Sequence, residues 1–415
     1  MLTAFNTALS GLSADSTAVS VVGNNIANLN TTGFKASSVT FADVMSATLS
    51  ADGSTQLGMG VKTPVTQKDF SQEGSLVSTT NGLDVAIQGQ GFLIDKTANG
   101  AILYTRDGNL KTDANGTLMN AQGEAIQGWI GAAGKINTNA PLGNIVVPTG
   151  TLEPAVATGN MSLNMNLDAS AAVVAAPLTA ANASYSTSIQ VFDSLGEAQT
   201  LTMNFWKTGA GAWTWGVSTP NGTTASTGTL TFDTSGNLTA PASNPASPNV
   251  AITGLTDGAA NMNINFNFFA NNAPVVTQYA QQSSTASTSQ DGSAPASVTG
   301  VGIGSGGVVL ASLSNGKQLQ VGQVAVANFT NPSSLIAVGN NDYQVSGLTS
   351  QPAIGAAGTG GRGDVEGSTL ESSTVDIATE FTRLMTFQNS YQANARVITT
   401  ANNMEQQTVN LIPNA

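Results

Sequence analysis

A long C-terminal stretch without glycine constrains the fold of this chain more than any other feature. Glycine accounts for 45 of the 415 residues, yet none follows Gly367. Because an interior glycine costs a helix about 1 kcal/mol relative to alanine, its exclusion here favours one continuous helix. The segments 368–371 and 373–376 both fit a capping box, which predicts where this helix begins. Positions seven residues apart form one row of this helix, and a second row lies beside it. The first row is Ile377, Leu384, Tyr391, Ile398, Glu405 and Ile412, and the second includes Phe381 and Val409. A polar residue, Glu405, interrupts the first row. The apolar residues of the repeat predict the seam of a coiled coil.

The N-terminal segment carries another helical pattern, from Leu2 to about Leu29. Its apolar residues recur mostly at steps of three and four, which predicts one apolar stripe along a helix. The stripe consists of Phe5, Leu9, Leu12, Val19, Val22 and Ile26. Asp15 is assigned to the opposite, polar side. Because Gly11 and Gly23 weaken this helix, we expect it to need a partner, and we expect the two terminal stripes to bury one another.

The residues between the two ends alternate between apolar and polar types. Apolar side chains occupy every second position in 161–167 and in 262–268, which predicts half-buried antiparallel strands. Three strands joined by two turns are predicted from Ser186 to Trp215. Segments rich in proline, serine, asparagine or glycine are predicted to be linkers. These linkers are 241–248, 281–295 and 355–363.

Together these patterns predict a multidomain α+β protein. We expect an α-helical, coiled-coil-like domain made of both termini and two mainly antiparallel β domains with discontinuous chain order. The predicted limits follow the changes of pattern along the chain. They are 1–30 and 368–415 for the terminal helical domain, 31–71 and 351–367 for connecting segments, 72–146 and 286–350 for an inner β domain, and 147–285 for an outer β domain.

The composition excludes several kinds of site. The chain has no cysteine and no histidine, which removes thiolate nucleophiles, disulfides and the commonest general base and metal ligand. Its 12 Lys and Arg residues are outnumbered by 24 Asp and Glu. They are also dispersed, which argues against nucleic-acid binding because phosphates are neutralised by clustered bases. No apolar run reaches the ~18 residues of a membrane span, and no cleavable secretory signal is recognisable. We expect no catalytic residue, no cofactor and no bound metal.

A few short motifs have both a functional and a structural interpretation. The segments 302–307 and 358–363 match the dinucleotide-binding glycine spacing, but neither opens a helix as that mechanism requires. We interpret both as loops. A group of acidic and amide side chains could be taken for calcium ligands, but it lacks the spacing of a calcium loop, and hairpin turns are favoured. That group is Asp107, Asn109, Asp113 and Asn115.

The block after the first helical pattern resembles the N-terminal signature of bacterial flagellar axial proteins, the rod and hook subunits. The matching residues are Ala27, Asn28, Asn30, Thr31, Gly33, Phe34 and Lys35. Further family blocks are similar to residues 70–76, 81–92 and 104–118, and 375–412 is similar to the family's C-terminal helix. Within this family, residues 191–202 resemble the second β domain of hook subunits, whereas distal rod proteins are much shorter.

The resemblance implies a structural subunit that polymerises into a bendable helical tube, couples rod to filament and transmits motor torque as a universal joint. The implied partners are copies of itself, the distal rod, the hook cap, the hook–filament junction proteins and the flagellar export apparatus. The implied location is extracellular, reached by type III export without a cleaved signal peptide. The terminal stripes are then the expected assembly interface. Two alternatives stay open at this point: a distal rod or other axial subunit, and a secreted β-rich enzyme or adhesin.

Overall fold

The computed structural model describes residues 2–44, 47–48, 56–132, 134–150, 152–218, 223–224, 227–242, 249–255, 257–270 and 273–410. The chain divides into two compact units. The first unit comprises Met1–Thr149, Gly300–Ser312 and Gln318–Ala415. The second unit comprises Gly150–Thr299 and Leu313–Lys317.

Both predicted terminal helices are present, and both belong to the first unit. Helix α1 spans Leu2–Ala27 and helix α2 spans Ile377–Asn410. The α2 helix begins directly after Asp376, whose Oδ1 accepts a hydrogen bond from the Thr379 backbone N–H at 2.7 Å. This is an N-cap, which satisfies one of the free N–H groups at the start of a helix. Neither helix is long and apolar enough to cross a membrane among the residues described.

The rest of the first unit is built from short antiparallel strands. Phe92–Lys96 pairs with Ile102–Thr105 and with Ala125–Ala132, which in turn pairs with Gln318–Val324. Aromatic rings pack edge to face around Phe92 and Tyr343 in its core. The strands of this unit are Ser37–Thr40, Ala47–Thr48, Gln56–Leu57, Val65–Lys68, Leu76–Ser78, Val85–Gln88, Phe92–Lys96, Ile102–Thr105, Leu110–Thr112, Leu118–Asn120, Ala125–Ala132, Lys135–Ile136, Gly143–Asn144, Gln318–Val324, Val326–Asn328, Ile336–Gly339, Asp342–Gln344, Ala353–Gly355, Asp364–Gly367 and Thr369–Glu371.

The second unit consists of two sheets around one apolar core. Its strands are Leu152–Glu153, Asn160–Asp168, Tyr185–Phe192, Ala198–Gly209, Ala212–Ser218, Thr223–Thr224, Thr227–Phe232, Leu238–Ala240, Asn249–Thr253, Met262–Asn267, Phe269–Ala270, Ala273–Pro274, Val276–Tyr279 and Ser284–Gln290. Two more strands, Ala296–Ile303 and Val308–Leu313, contain residues of both units. The predicted strand–turn–strand series from Ser186 to Trp215 is confirmed, and it forms part of an antiparallel sheet of five strands.

The other sheet differs from the prediction in the direction of its strands. Asn160–Asp168 has the predicted buried apolar face, but it lies parallel to Met262–Asn267 and to Val276–Tyr279. The expectation of antiparallel pairing was therefore wrong for these pairs. Alternation determines which face of a strand is buried, and it carries no information about the direction of the neighbouring strand.

A predicted linker also contains a strand. Ser284–Gln290 lies within the segment 281–295 and pairs antiparallel with Asn160–Asp168. Its side chains are serine, threonine, alanine and glutamine, and most of them are exposed. Backbone pairing holds this strand in the sheet. Its mostly polar sequence has no apolar alternation, so the pattern could not identify it as a strand.

Candidate assembly helices and their buried anchor

The two terminal helices pack against each other in antiparallel orientation. Near the middle of α1, the Asp15 Oδ2 accepts a hydrogen bond from Asn394 Nδ2 at 2.9 Å. Further along α1, Asn25 Nδ2 donates to Glu380 Oε2 at 3.3 Å. Residue numbers thus rise along α1 while they fall along α2. The predicted pairing of the two ends is confirmed.

Small residues, rather than the predicted stripe, form most of the buried face of α1. Asp15 and Asn25 belong to this face, so the assignment of Asp15 to an exposed polar side was wrong. The Asp15 carboxylate is buried because it has a partner on α2, and a buried carboxylate requires one. The buried apolar residues of α1 are Ala8, Ala14, Ala18 and Val22. They lie six, four and four residues apart, and this spacing was visible in the sequence.

Large apolar side chains of both helices are left exposed in the single chain. The exposed fraction is 48% for both Leu9 and Phe381. Among the residues assigned to the assembly interface, five are exposed and five are half-buried. The exposed ones are Phe5, Leu9, Ile377, Phe381 and Tyr391. The half-buried ones are Leu12, Val19, Ile26, Leu384 and Ile398. The Val409 side chain and the whole of Ile412 lie outside the described part of the chain.

The signature block lies at the exit of α1 and turns the chain toward the C-terminal segment. Ala27 is the last residue of α1, and Asn28 and Thr31 form hydrogen bonds within the turn that follows it. Asn30 is exposed. Gly33 has φ +66°, and a Cβ there would lie 2.5 Å from the Arg106 carbonyl oxygen. Glycine is required at this position, because the backbone is left-handed and another strand end approaches closely.

Beyond Gly33 the signature block runs along the segment that precedes α2. The Gly33 N–H donates to the Glu371 carbonyl at 2.8 Å, and the Thr374 N–H donates to the Phe34 carbonyl at 3.1 Å. The Ala36 N–H donates to Thr374 Oγ1 at 2.9 Å. These bonds join the end of α1 to the start of α2 through the backbone, so both helices have a common base.

A buried cluster of charges lies at this base, and we call Lys35, Arg106 and Glu371 the anchor. Lys35 Nζ lies 2.7 Å from Glu371 Oε1, and Arg106 Nη1 lies 3.2 Å from Glu371 Oε2. All three side chains are almost completely buried. The glutamate therefore bridges a lysine of the N-terminal block and an arginine of the β structure.

Backbone groups satisfy much of the remaining hydrogen-bonding capacity of the anchor. Lys35 Nζ also donates to the Gln72 carbonyl at 2.6 Å, and the Gly74 N–H donates to Glu371 Oε1 at 2.8 Å. Arg106 Nη2 donates to the Gly89 carbonyl at 2.7 Å. Burial lowers the pKa of Lys35, although the nearby Glu371 carboxylate opposes that change. A buried cation requires such a partner, because desolvation disfavours its charged form.

The sequence contained part of this anchor but assigned Glu371 wrongly. Glu371 ends a strand, Thr369–Glu371, that pairs with Leu76–Ser78, whereas the sequence had suggested that it closes a capping box for the helix. The match to the capping-box pattern was local, and the buried partners that bind Glu371 come from residues more than 250 positions away. Nothing in the local pattern could identify them.

The motifs interpreted as turns and loops do adopt such structures. Asp107 Oδ1 accepts from the Asn109 N–H, and Asp113 Oδ1 accepts from the Asn115 N–H. The glycine segment 302–307 is a loop only from Gly304, because Gly302 and Ile303 end the strand Ala296–Ile303, and it leads into the strand Val308–Leu313 rather than into an α-helix. The segment 358–363 leads into the strand Asp364–Gly367, which shows that Asp364 and Glu366 belong to a sheet and not to a linker.

Family models match the chain from near its start to near its end. Residues 5–35 match the flagella basal body rod protein model, and residues 86–163 match the D1 domain of the flagellar hook protein FlgE/F/G. Residues 162–293 match the D2 domain of the flagellar basal body protein FlaE, and residues 366–411 match the C-terminal model of the flagellar basal body rod FlgEFG proteins.

Relatives match over nearly the full length. The chain is 34% identical to the flagellar hook protein FlgE of Escherichia coli (strain K12), over 98% of this chain and 100% of the relative. It is 31% identical to the flagellar hook protein FlgE of Borreliella burgdorferi, over 99% of this chain and 100% of the relative. The fold is similar to the crystal structure of Helicobacter pylori flagellar hook protein FlgE2. That likeness has a TM-score of 0.54 and 13% identity, and it covers 71% of this chain and 100% of that one.

These matches decide between the interpretations that the sequence left open. Identity of 31–34% to hook proteins over nearly the full length favours a hook subunit over a distal rod subunit. It also removes the grounds for a secreted enzyme or adhesin. The chain belongs to the flagellar hook protein FlgE family and is a structural subunit of the flagellar hook rather than an enzyme.

Proposed function

We propose that this chain polymerises into a helical tube through the exposed apolar faces of α1 and α2. The observation that carries the proposal is the exposure of large apolar side chains on an otherwise packed helix pair. Phe5 and Leu9 on α1, and Phe381 and Tyr391 on α2, are all exposed in the single chain. Large apolar side chains left exposed along both helices favour an interaction surface. A head-to-tail contact that does not close on itself generates an open helical filament.

The anchor gives this assembly its mechanical connection. It ties the end of α1 and the start of α2 to the β structure of the first unit through Glu371. A force applied to the helices of one subunit is then transmitted to its β structure through buried ionic and backbone contacts. A torque-bearing tube needs this stiffness, whereas its bending needs contacts that can change.

The β surface suits contacts that change during bending. Between Pro154 and Asn341 the chain has only eight charged residues, and amides and hydroxyls supply most of the polar groups. Neutral polar side chains exchange one hydrogen-bond partner for another at small cost, because each net hydrogen bond is worth only about 1 kcal/mol. We therefore assign to this subunit the role of a universal joint that couples rod to filament.

The domain limits and the seam of α2 belong to the same proposal. We assign 1–30 and 368–415 to a helical domain in the inner wall of the tube, 72–146 and 286–350 to an inner β domain, and 147–285 to an outer one. In this arrangement the heptad positions of α2 contact both α1 and neighbouring subunits. Leu384 and Ile398, which are half-buried, alternate with the exposed Ile377 and Tyr391.

Export and partners follow from family membership as further parts of the proposal. We infer that the chain leaves the cell through the flagellar type III system without cleavage of a signal peptide. It then meets the distal rod, the hook cap and the hook–filament junction proteins outside the cell. N-terminal sequencing of assembled protein should find Met1 or Leu2. A mature start near residue 25 would contradict this route.

Polymerisation of two matched variants tests the assembly surface. Phe381→Asp removes an exposed aromatic group whose full burial is worth about 1.5–3 kcal/mol, and it places an unpaired charge in the contact, which costs more. Every subunit repeats the defect, so we expect sedimentation to find monomers only. Because Phe381 is exposed, the monomer should unfold at the wild-type temperature.

Thr382→Asp is the control, since Thr382 is exposed, adjacent in sequence and points about 100° around the helix from Phe381. This variant should sediment as polymer. If Phe381→Asp polymerises as well as Thr382→Asp, the exposed face of α2 is not an assembly surface.

A further inference from the structure

Three carboxylates of the first unit converge at a place that the helix pair and the anchor do not use. Asp95, Glu124 and Asp342 each present one carboxylate oxygen, and these oxygens all lie within 4.8 Å of one another. They come from three separate parts of the fold. Asp95 is in the strand Phe92–Lys96, Asp342 begins the strand Asp342–Gln344, and Glu124 lies in the turn before Ala125.

Asp95 is an unusual member of this group, because it is completely buried and incompletely bonded. Its Oδ2 accepts a hydrogen bond from Asn120 Nδ2 at 2.8 Å, whereas its Oδ1 has no hydrogen-bond partner among the described residues. A buried carboxylate oxygen without a donor costs free energy that a native structure normally avoids. The Asp95 carboxylate therefore lies among other carboxylates with one oxygen free for a further ligand.

The surrounding charges make this arrangement costly without a positive ion. Burial raises the pKa of Asp95 well above its usual value, and the carboxylates of Asp342, Glu124 and Asp107 raise it further. Burial and the neighbouring Glu124 raise the pKa of Asp342 to about 7. The charged groups that raise the pKa of these two residues are therefore all carboxylates.

The side chains around the cluster hold it in position. Asn120 Nδ2 donates both to Asp95 Oδ2 and to Glu124 Oε2, the latter at 3.0 Å. Asn120 is itself held because its Oδ1 accepts from the Gln122 and Glu124 backbone N–H groups. One amide thus orients two of the three carboxylates. Residues that hydrogen-bond to metal ligands commonly orient them in this way. Glu124 is half-buried, which leaves a path from solvent.

Against the expectation from the sequence that no metal is bound, we propose that Asp95, Glu124 and Asp342 bind one hard divalent cation of the calcium type. Carboxylate oxygens are the preferred ligands of such ions, and Ca²⁺ accepts them at about 2.3–2.6 Å in flexible geometry. Three oxygens that all lie within 4.8 Å of one another are close enough for one such ion to contact all of them. The ion joins a strand, a turn and a second strand that are far apart in sequence, so it would stiffen the first unit.

Calcium binding by the full-length chain tests the site. Protein treated with EDTA and dialysed at pH 7.5 is titrated with CaCl₂ by calorimetry and by equilibrium dialysis with radioactive Ca²⁺. We expect about one ion per chain, with a Kd of about 10⁻⁵–10⁻³ M, as for calcium sites of modest ligand charge. Calcium should also raise the unfolding temperature, because it binds the folded state alone.

Two variants keep the shape of the site but remove its charge. Asp95→Asn should abolish calcium binding, and Glu124→Gln should weaken it at least tenfold. In Asp95→Asn the new amide oxygen can still accept from Asn120, and the buried charge is gone. In EDTA this variant should therefore melt no lower than the wild type, which separates loss of the site from loss of the fold. Glu73→Gln is the matched control at an exposed glutamate of the same unit, and it should bind calcium as the wild type does.

The proposal is overturned if the wild-type chain binds no calcium at millimolar concentration, or if Asp95→Asn binds it as tightly as the wild type. It is also overturned if the cluster only takes up a proton. In that case acid raises the unfolding temperature of the wild type in EDTA and calcium at pH 7.5 leaves it unchanged.

Discussion

The helix pair and the second unit bury apolar groups in different ways. Within the described part of the second unit, 22 residues form one buried cluster in which large side chains such as Trp215 and Phe266 have no appreciable exposure. On α1 the buried positions are occupied mainly by alanine, with Asp15 and Asn25 among them. Large apolar residues of the helix pair such as Leu9 and Phe381 are exposed, and others such as Leu384 are half-buried.

The second unit therefore has a hydrophobic core that is complete within one chain, whereas the helix pair leaves large apolar side chains uncovered. The β core of the second unit completes its packing within a single chain, so its stability depends on that chain alone. The helix pair uses small residues and polar side-chain contacts between its own members, and it keeps its large apolar groups available for other surfaces. A subunit that must be stable before assembly and adhesive during assembly needs both kinds of region.

The same substitution in the two regions should give the largest contrast. Phe266→Ala removes a ring that is completely buried against Trp215, with ring centroids 5.5 Å apart. It should destabilise the second unit by about 3–5 kcal/mol. Phe381→Ala should change the stability of the monomer by less than about 1 kcal/mol, because that ring is half exposed. Calorimetry of both variants measures the contrast, and equal losses would mean that the helix pair is as complete a core as the β unit.

Removal of the bridging charge in the anchor should have the next largest effect. Glu371→Gln leaves Lys35 and Arg106 buried without a carboxylate, and the loss of one partner of a buried ion pair costs about 3–5 kcal/mol. Urea unfolding measures the change in the free energy of unfolding of the first unit. Glu366→Gln, in the neighbouring strand Asp364–Gly367 and without an ion pair among the described residues, is the control and should stay within about 0.5 kcal/mol of the wild type.

Two glycines of α1 sharpen the account of the helix contact. A Cβ at Gly23 would meet no described atom within 4 Å, whereas a Cβ at Gly11 would lie 2.8 Å from Asn394 Nδ2. Gly23→Ala should therefore stabilise the folded chain by about 1 kcal/mol, which is the full difference in helix propensity between glycine and alanine. Gly11→Ala should gain less, since Asn394 must move and its bond to Asp15 is disturbed. Thermal unfolding followed by circular dichroism at 222 nm measures both, and an equal gain would show that Gly11 is not needed for close approach.

The raised pKa of Asp342 should also make the stability of the first unit depend on pH. Because the pKa of Asp342 is raised to about 7 in the folded chain, its contribution to stability is complete below about pH 4 and is lost as pH rises to about 7. Asp342→Asn removes this loss. In EDTA, the stability of the variant relative to the wild type should therefore increase from pH 5 to pH 8. Chemical unfolding at both values measures it, and a constant difference would show that Asp342 titrates normally.

Sequence patterns predicted the elements whose burial follows a simple period. Both terminal helices, the strands 161–167 and 262–267, and the hairpins from Ser186 to Trp215 were recognised in this way. The strand Ser284–Gln290 was missed because its polar residues carry no such period. The candidate interface was recognised as a set of apolar residues, but its division into exposed and buried members was not.

The sequence by itself determined that two helical ends enclose a β-rich middle, and that the chain has neither cysteine nor histidine for chemistry. The signature block at 27–35, together with the further blocks and residues 191–202, indicated the family through residue pattern. Only the tertiary structure decided that Asp15 is buried and bonded to α2 while Leu9 stays exposed, and that Lys35, Arg106 and Glu371 meet. Periodicity reports which residues share a face, whereas the partner of that face depends on contacts between residues hundreds of positions apart. A buried charge is stable only where such a distant partner neutralises it.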